Sequence, residues 1–463
     1  MTGSFFGLDL SLRALQAQQL ALDVTGQNVA NSNTAGYSRQ TVNFATTAPY
    51  TLPGMNRAQI AGQVGTGVVV AGIDRARDLF ADVQYRAEAS VQSQAQAQSD
   101  ALQQVQTVLN EPSSTGLSAM LSNFFGAWQD LANNPSDTAT RAPLVQQAAA
   151  LASGFNRAAQ GLSTIQQNLN DHVKLDVDQV NSLSTQIAAL NRQIVQVEVT
   201  GQRANDLRDR RDLLLDQVSQ LAQIQSSESA DGSVNVTLGG HTLVQGQSVD
   251  ALTTTATGPG GMLDVRFTSD NSLATLNSGE LRGLMDARDT SIPNYLGQLN
   301  SIAANLIGAV NSLHAAGYGL DGGTGRAFFA GTDAATIAVD PTVAANPNTV
   351  AAADAPNQAG NNNTALAIAQ LQHTMSPSTG DSYNALIASL GVDARAAQGT
   401  LANQTALVQL LTQRRQTVSG VSLDEEATQM LRYQRAYEAA ARLITTNDEM
   451  LDKLINGTGV VGR

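Results

Sequence analysis

Between Pro143 and Pro259 the chain has no proline, and across most of that interval apolar residues recur every three or four positions. From Leu162 the row runs through Ile165, Leu169, Val173, Val177, Val180, Leu183, Ile187, Leu190, Ile194 and Val197. That is the period of one helix face. An unbroken helix from Leu144 to about Val199 is roughly 84 Å long at 1.5 Å per residue. Pro143 suits its first turn, where a missing N–H breaks no bond. A rod of that length with an apolar face has to lie against other helices. The same spacing supplies them at 85–110, 205–225 (Leu207, Leu214, Val218, Leu221), 293–314 (Leu296, Leu299, Ile302, Leu306, Val310, Leu313) and 381–415. Aromatics are only 4% of the chain, with Trp128 the single tryptophan, so aliphatic side chains must fill the core. The expected fold is mainly α: a long helical bundle with terminal coiled-coil helices and a small antiparallel β insert.

The two end regions carry matching seams. Near the start, Leu8, Leu12, Leu15, Gln19, Leu22, Gly26 and Val29 alternate spacings of four and three, with Ala14, Ala17 and Ala21 on neighbouring faces. This heptad-like row stops at the polar turn Asn31-Ser-Asn-Thr-Ala-Gly36. Far downstream, Leu423, Ala427, Met430, Gln434, Tyr437, Ala441, Ile444, Asp448, Leu451 and Ile455 repeat the pattern. That helix opens on a capping box, Ser422-Leu-Asp-Glu425, and closes near Asn456-Gly457. Two such helices are read as a coiled pair. The domain plan is then an N-terminal assembly helix and turn (1–50) paired with a C-terminal assembly helix (415–463). Helical body occupies 51–227, 276–330 and 381–414.

Two segments depart from the helical period. In 228–275, Val234, Val236 and Leu238 alternate, Gly239-Gly240 supplies a two-residue hairpin turn, and Thr242 and Val244 continue. Leu263, Val265 and Phe267 alternate again beyond Gly258-Pro-Gly-Gly261. We expect its antiparallel unit, residues 228–269, on the outside of the body and dispensable for assembly. The Ala/Asn/Pro-rich stretch 331–380 reads as an exposed segment, a reduced outer domain.

Charge and composition exclude several function classes. The net charge is −13, Lys174 and Lys453 are the only lysines, and the one arginine cluster, Arg208, Arg210 and Arg211, is interleaved with aspartates. Neither nucleic acid nor an anionic membrane finds a positive footprint here. With no cysteine, disulfides and thiolate sites do not arise. His172, His241, His314 and His373 lack metal-ligand spacing and read as solvated or internally satisfied. The glycine-rich loop 317–325 follows a predicted helix and lacks a Gly-Lys-Ser/Thr, so it is not read as a nucleotide cradle; Asp321 alone there makes no calcium loop. Asp206, Asp209, Asp212 and Asp216 read as a solvated helix face, with Asp206–Arg210 and Arg208–Asp212 as i,i+4 pairs. No catalytic constellation and no cofactor site emerges; the chain reads as non-enzymatic. The start, Met1-Thr-Gly-Ser-Phe-Phe-Gly-Leu-Asp9, lacks the basic region of a secretory signal peptide.

Ala30-Asn-Ser-Asn-Thr-Ala-Gly-Tyr-Ser-Arg-Gln40, after an Ala/Gln/Leu-rich helix, resembles the N-terminal motif of bacterial flagellar rod, hook and hook-associated proteins. The form Gly-Tyr-Ser-Arg-Gln is most like the hook–filament junction family, hook-associated protein 1. Gly420-Val-Ser-Leu-Asp-Glu-Glu426, Arg432-Tyr-Gln-Arg-Ala-Tyr437 and Asp448–Asn456 are similar to that family's C-terminal motif. Internal echoes are Asn205–Asp212 and Asn311-Ser-Leu-His-Ala-Ala-Gly317 leading to Phe328-Phe329.

The resemblance implies a structural subunit at the junction of hook and filament, extracellular, exported without a cleaved signal peptide, and built into a helical or ring assembly of itself. It also implies contacts with hook protein and hook-associated protein 3, and an export chaperone at the C-terminal region. The residues it assigns to assembly are Leu8, Leu12, Leu15, Leu22, Val29, Asn31, Gly36, Tyr37 and Arg39 at one end. At the other they are Leu423, Met430, Tyr437, Ile444, Leu451 and Ile455. The competing readings are another axial protein (hook, rod or flagellin-like) and a cytoplasmic coiled-coil scaffold. Hook and rod subunits are expected to have β-rich bodies, whereas helices dominate here. A scaffold accounts for the heptads but not for both end motifs.

Overall fold

A computed structural model describes residues 5–49 and 62–457; Met1–Ser4, part of the stretch read as lacking a secretory signal, lie outside the described residues. Helix α1 (Phe6–Ala30) leads to strands β1 (Gln40–Thr46) and β2 (Val68–Arg75). Helices α2 (Leu79–Leu109), α3 (Leu117–Asn133), α4 (Arg141–Glu198) and α5 (Asn205–Leu221) follow. Strands β3 (Ile224–Glu228), β4 (Val234–Leu238), β5 (His241–Gln245), β6 (Ser248–Val249), β7 (Leu252–Thr255) and β8 (Asp264–Phe267) come next. Helices α6 (Glu280–Asp286) and α7 (Ile292–Ala316), short strands β9 (Phe329–Ala330) and β10 (Ala338–Val339), and helices α8 (Pro341–Ala345), α9 (Asn363–Thr374), α10 (Thr379–Ser419) and α11 (Leu423–Asn456) complete the chain. The fold is mainly α, as the periodicity predicts. The 58 residues of α4 span roughly 87 Å. Ile165, Leu169, Val173, Val177, Val180, Leu183, Ile187 and Ile194 of its stripe are all buried.

The chain divides into two compact units. Unit 1 gathers Met1–Ala89, Val180–Ala251 and Ala406–Arg463; unit 2 gathers Ser90–Gln179 and Leu252–Thr405. Unit 1 contains the antiparallel β1–β2 pair, so residues 68–75, read as helical body, are a strand. It also contains a four-stranded sheet in the order β3-β4-β5-β6. Gly239 and Gly240 make the β4–β5 turn with φ of 57° and 89°, which L side chains resist. One face of this sheet is packed into unit 1, while Gln225, Glu228, Thr242, Gln245 and Ser248 are exposed. Val236, Leu238, Leu243 and Val244 have no exposed surface. Asn191 of α4 donates to the carbonyls of Val234 (2.8 Å) and Gly246 (2.7 Å) and accepts from Val234 N–H (3.1 Å), which locks the sheet to the helix. The expected single insert is thus two things, because β7 and β8 form a separate antiparallel pair in unit 2.

Unit 2 is organised around Trp128, which is fully buried among Phe124, His314 and Phe328. Asn311 accepts from the N–H groups of Phe328 and Phe329 and donates to Phe329 O, each at 2.8 Å, which holds the Phe-Phe pair in place. His314 is a satisfied core histidine: Nδ1 donates to Arg326 O (2.8 Å) and Nε2 accepts from Ala351 N–H (3.0 Å). Burial lowers its pKa, as that neutral pattern requires. The 331–380 segment is not an exposed appendage. Ala334, Ile337, Val343, Val350, Ala351 and Ala352 are buried, and Ile368 of α9 is too. Alanine lets backbone approach backbone closely, so a composition that looks like loop here forms part of the core.

Candidate assembly site

Within unit 1, α1 and α11 pack as an antiparallel pair. Asn28, near the end of α1, bonds Glu426, near the start of α11, while Gly7 lies against Asn447. The buried face of α1 is Ser11, Ala17, Ala21, Val24, Thr25 and Asn28, a row of small and polar side chains. The leucine stripe is displaced from it: Leu12 is 49% exposed, and Leu8, Leu15, Leu22 and Val29 are half-buried. On α11 the buried positions are Glu426 and Ala440, with Met430, Ile444 and Leu451 half-buried. Leu423, Tyr437 and Ile455 of the sequence stripe are exposed. With them, Leu431, Leu443, Met450 and Leu454 leave a long apolar surface on α11 uncovered in the single chain.

Asn28 is the hub of this pair and is 2% exposed. Its Nδ2 donates to Gln40 O (2.9 Å) and Glu426 Oε2 (3.0 Å). Its Oδ1 accepts from Tyr37 OH (2.8 Å) and Gln40 N–H (2.9 Å). One side chain therefore joins α1, the turn, β1 and α11. Burial, with Asp206, Asp209 and Glu426 adding, pushes the Tyr37 hydroxyl far above its usual range, so it stays a donor. Arg39 pairs with Glu425 at 2.7 Å, and its backbone N–H donates to Ser419 O at 2.9 Å. Gly36 takes φ 79°. A Cβ at Gly36 meets Leu213 at 3.2 Å, so the tight approach as well as the left-handed backbone calls for glycine. Asn31 caps only its own neighbourhood, donating to Gln27 O (3.0 Å).

Below the turn lies an ionic network that reverses the sequence reading of α5. Asp209, Asp212 and Asp216 are buried, not solvated. Asp209 accepts from Ser38 N–H (2.8 Å) and Ser38 Oγ (2.7 Å), and Arg75 bridges Asp209 and Asp212 at 2.8 Å each. Arg86 holds Asp216 at 2.7 Å, and Arg77 holds Asp82 at 2.9 Å. Arg415 of α10 reaches both Asp82 and Asp216 at 2.8 Å and stacks over Tyr85, 4.3 Å from the ring centre. Burial presses the Asp209 carboxyl upward. For Asp212 burial acts the same way, but Arg77, Arg75 and Arg86 outweigh it and hold the group below the ordinary carboxylate value. The expected Arg208–Asp212 pair is replaced by Arg208 with Glu198 (2.6 Å) and Glu228 (2.9 Å). Asp206 is exposed and accepts from Gln27 and Gln40, not from Arg210.

Sequence reasoning thus named Tyr37, Gly36 and Arg39 but passed over Asn28, Ser38, Gln40 and Glu426. Its only available signal for them was that a buried helix face must end in something polar where a turn departs. No three His, Asp or Glu side chains are grouped to hold a metal among the described residues.

Three stretches match known families. Residues 8–37 match the description "Flagella basal body rod protein" and 412–457 match "Flagellar basal body rod FlgEFG protein C-terminal". Residues 102–329 match "Flagellar hook-associated protein FlgK helical domain". The chain is 33% identical to flagellar hook-associated protein 1 of Bacillus subtilis over 509 aligned positions, covering 100% of both chains. It is 26% identical to the Escherichia coli protein of that name, covering 96% of this chain and 98% of the other. The structure resembles the flagellar hook junction protein FlgK from Burkholderia pseudomallei with a TM-score of 0.63 at 19% identity, over 73% of this chain and 100% of that one. A full-length likeness of this degree, with rod-type matches falling on the two helices that pair, places the chain in the flagellar hook-associated protein 1 family.

Proposed function

We propose that this chain is a non-enzymatic axial subunit of the bacterial flagellum that joins hook to filament by self-assembly through α1 and α11. The observation that carries the reading is the uncovered apolar surface of α11: Leu431, Leu443, Met450, Leu454 and Ile455 are 58%, 53%, 52%, 59% and 73% exposed. The α1–α11 contact is made instead by small and polar residues. A helix whose apolar side chains are left out of its own subunit's packing is suited to being covered by neighbouring subunits. The same reading places the protein outside the cell, reached without a cleaved signal peptide. Its neighbours are then hook protein and hook-associated protein 3, and an export chaperone engages the α11 region beforehand. The test separates assembly from folding. Ile455→Asp and Leu454→Asp alter exposed positions, so the monomer's melting temperature stays within about 1 °C of the parent, as for surface substitutions generally. Retention of the purified variants on isolated hooks falls at least tenfold. Undiminished retention removes α11 from the interface.

A further inference from the structure

Among the described residues five arginines are buried, and four have a carboxylate: Arg86 has Asp216, Arg208 has Glu198, Arg288 has Asp289, and Arg211 has Glu228 at 3.7 Å. Arg141 has none. It is 1% exposed, and among the described residues it makes no ion pair. Its Nη1 donates to Val350 O (2.5 Å) and its Nη2 to Pro135 O (2.8 Å), while Nε is buried without a partner. Burial pulls the guanidinium down to about 10. The one carboxylate that acts on it favourably, Asp321, is engaged by Arg326 at 2.6 Å. Carbonyl dipoles satisfy N–H groups but do not neutralise a charge, and a buried guanidinium without a counter-charge is unfavourable.

Arg141 lines a pocket of about 200 Å³ in unit 2 together with Tyr318, Gly322, Asn357 and Gln358. Asn357 and Gln358 are exposed; among the described residues their side-chain amide nitrogens have no hydrogen-bond partner, while Gln358 Oε1 accepts from Asn361. Arg141 is also the first residue of α4, so the positive end of a 58-residue helix dipole lies beside it. We propose that this pocket is an anion site that holds one small tetrahedral oxyanion, inorganic phosphate or sulfate, as the missing counter-charge of Arg141. The volume suits a single oxyanion with a few waters and is too small for a nucleotide. No local pattern marks the site, because the glycine-rich loop supplies its wall while the charge comes from a residue nearly 180 positions earlier.

The test uses the full chain in sodium phosphate and in sodium chloride at matched ionic strength and pH. Thermal unfolding of the parent shows a saturable rise in melting temperature with phosphate that chloride does not reproduce. Arg141→Gln abolishes that response, and Arg141→Lys weakens phosphate binding by about tenfold or more through loss of a charge-assisted hydrogen bond. Should the glutamine variant fail to fold, Asn357→Asp decides: a carboxylate supplied from within raises the melting temperature without phosphate and removes the phosphate response. No phosphate-specific shift in the parent overturns the proposal. So does a shift of equal size in Asn357→Asp, which indicates an adventitious ionic effect only.

Discussion

Replacing Asn28 by alanine removes four hydrogen bonds at one buried point. The Gln40 N–H and C=O, the Tyr37 hydroxyl and the Glu426 carboxylate each lose a partner. Each buried polar group left unpaired costs roughly 1–3 kcal/mol, and a charged one lies at the upper end. Water entering the small cavity recovers part of this, so the net loss expected is about 3–4 kcal/mol rather than the sum. Asn31, also in the turn motif, is half-buried and makes one bond to its own helix and one to Thr34, so Asn31→Ala should cost no more than about 1 kcal/mol. The assay is amide hydrogen exchange by mass spectrometry on peptides from α1, β1 and α11. At about 1.4 kcal/mol per tenfold change, Asn28→Ala lowers protection there by at least a hundredfold. Asn31→Ala lowers it by less than tenfold. Glu426→Gln is the companion, since an uncharged partner keeps an acceptor for Asn28 and should be far milder than Asn28→Ala. Loss of protection below about threefold in Asn28→Ala, or equal loss in the two asparagine variants, refutes the hub.

Two further expectations follow from buried charge. Asp176 of α4 is 8% exposed with an unpaired Oδ2, and burial together with Glu280 lifts its pKa to about 7. Its contribution to stability is present in full below the unfolded carboxylate value and is lost as pH rises through about 7. Asp176→Asn should therefore flatten the urea-midpoint profile between pH 4 and 7 and be the more stable protein at pH 8; an unchanged slope rejects the assignment. Arg415→Ala leaves Asp82 and Asp216 short of a partner in a buried network and should cost about 3–5 kcal/mol in denaturant unfolding. Arg415→Lys recovers only part of this, because an ammonium does not span two carboxylates or stack on Tyr85 as a guanidinium does; full recovery contradicts the geometry.

What could be read from the residues was whatever repeats locally. The Leu162–Val197 row, the helices near 85–110, 205–225, 293–314 and 381–415, the Gly239-Gly240 turn and the Ser422–Glu425 cap are all set within a few positions of themselves. The structure has α2, α4, α5, α7, α10 and α11 in those places. What escaped was non-local. The α5 carboxylates looked solvated because their arginines stand more than 120 positions away on β2 and α2, beyond any i,i+4 rule. The buried face of α1 was hidden because Ala17, Ala21, Thr25 and Asn28 are faint on a hydropathy pattern beside leucines that are only half-buried or, at Leu12, exposed. The 331–380 segment was mistaken for loop because its burial depends on backbone contacts made by Arg141 and His314 from elsewhere in the sequence.

The partition of unit 1 among three stretches of chain has a consequence in time. Asn28 meets Glu426 across 398 positions, and Asp216 of α5 waits for Arg415 across 199. A chain that emerges from one end, as from a ribosome, can complete unit 2 once residue 405 is free, but it cannot close unit 1 until the residues around 415 and 426 have followed. Asn28 and the Arg415-facing oxygens of Asp82 and Asp216 therefore spend the whole interval of delivery without those partners, whereas Asp209 and Asp212 already have Arg75. Whatever shields or tolerates them during that interval acts on the order of events rather than on the finished architecture.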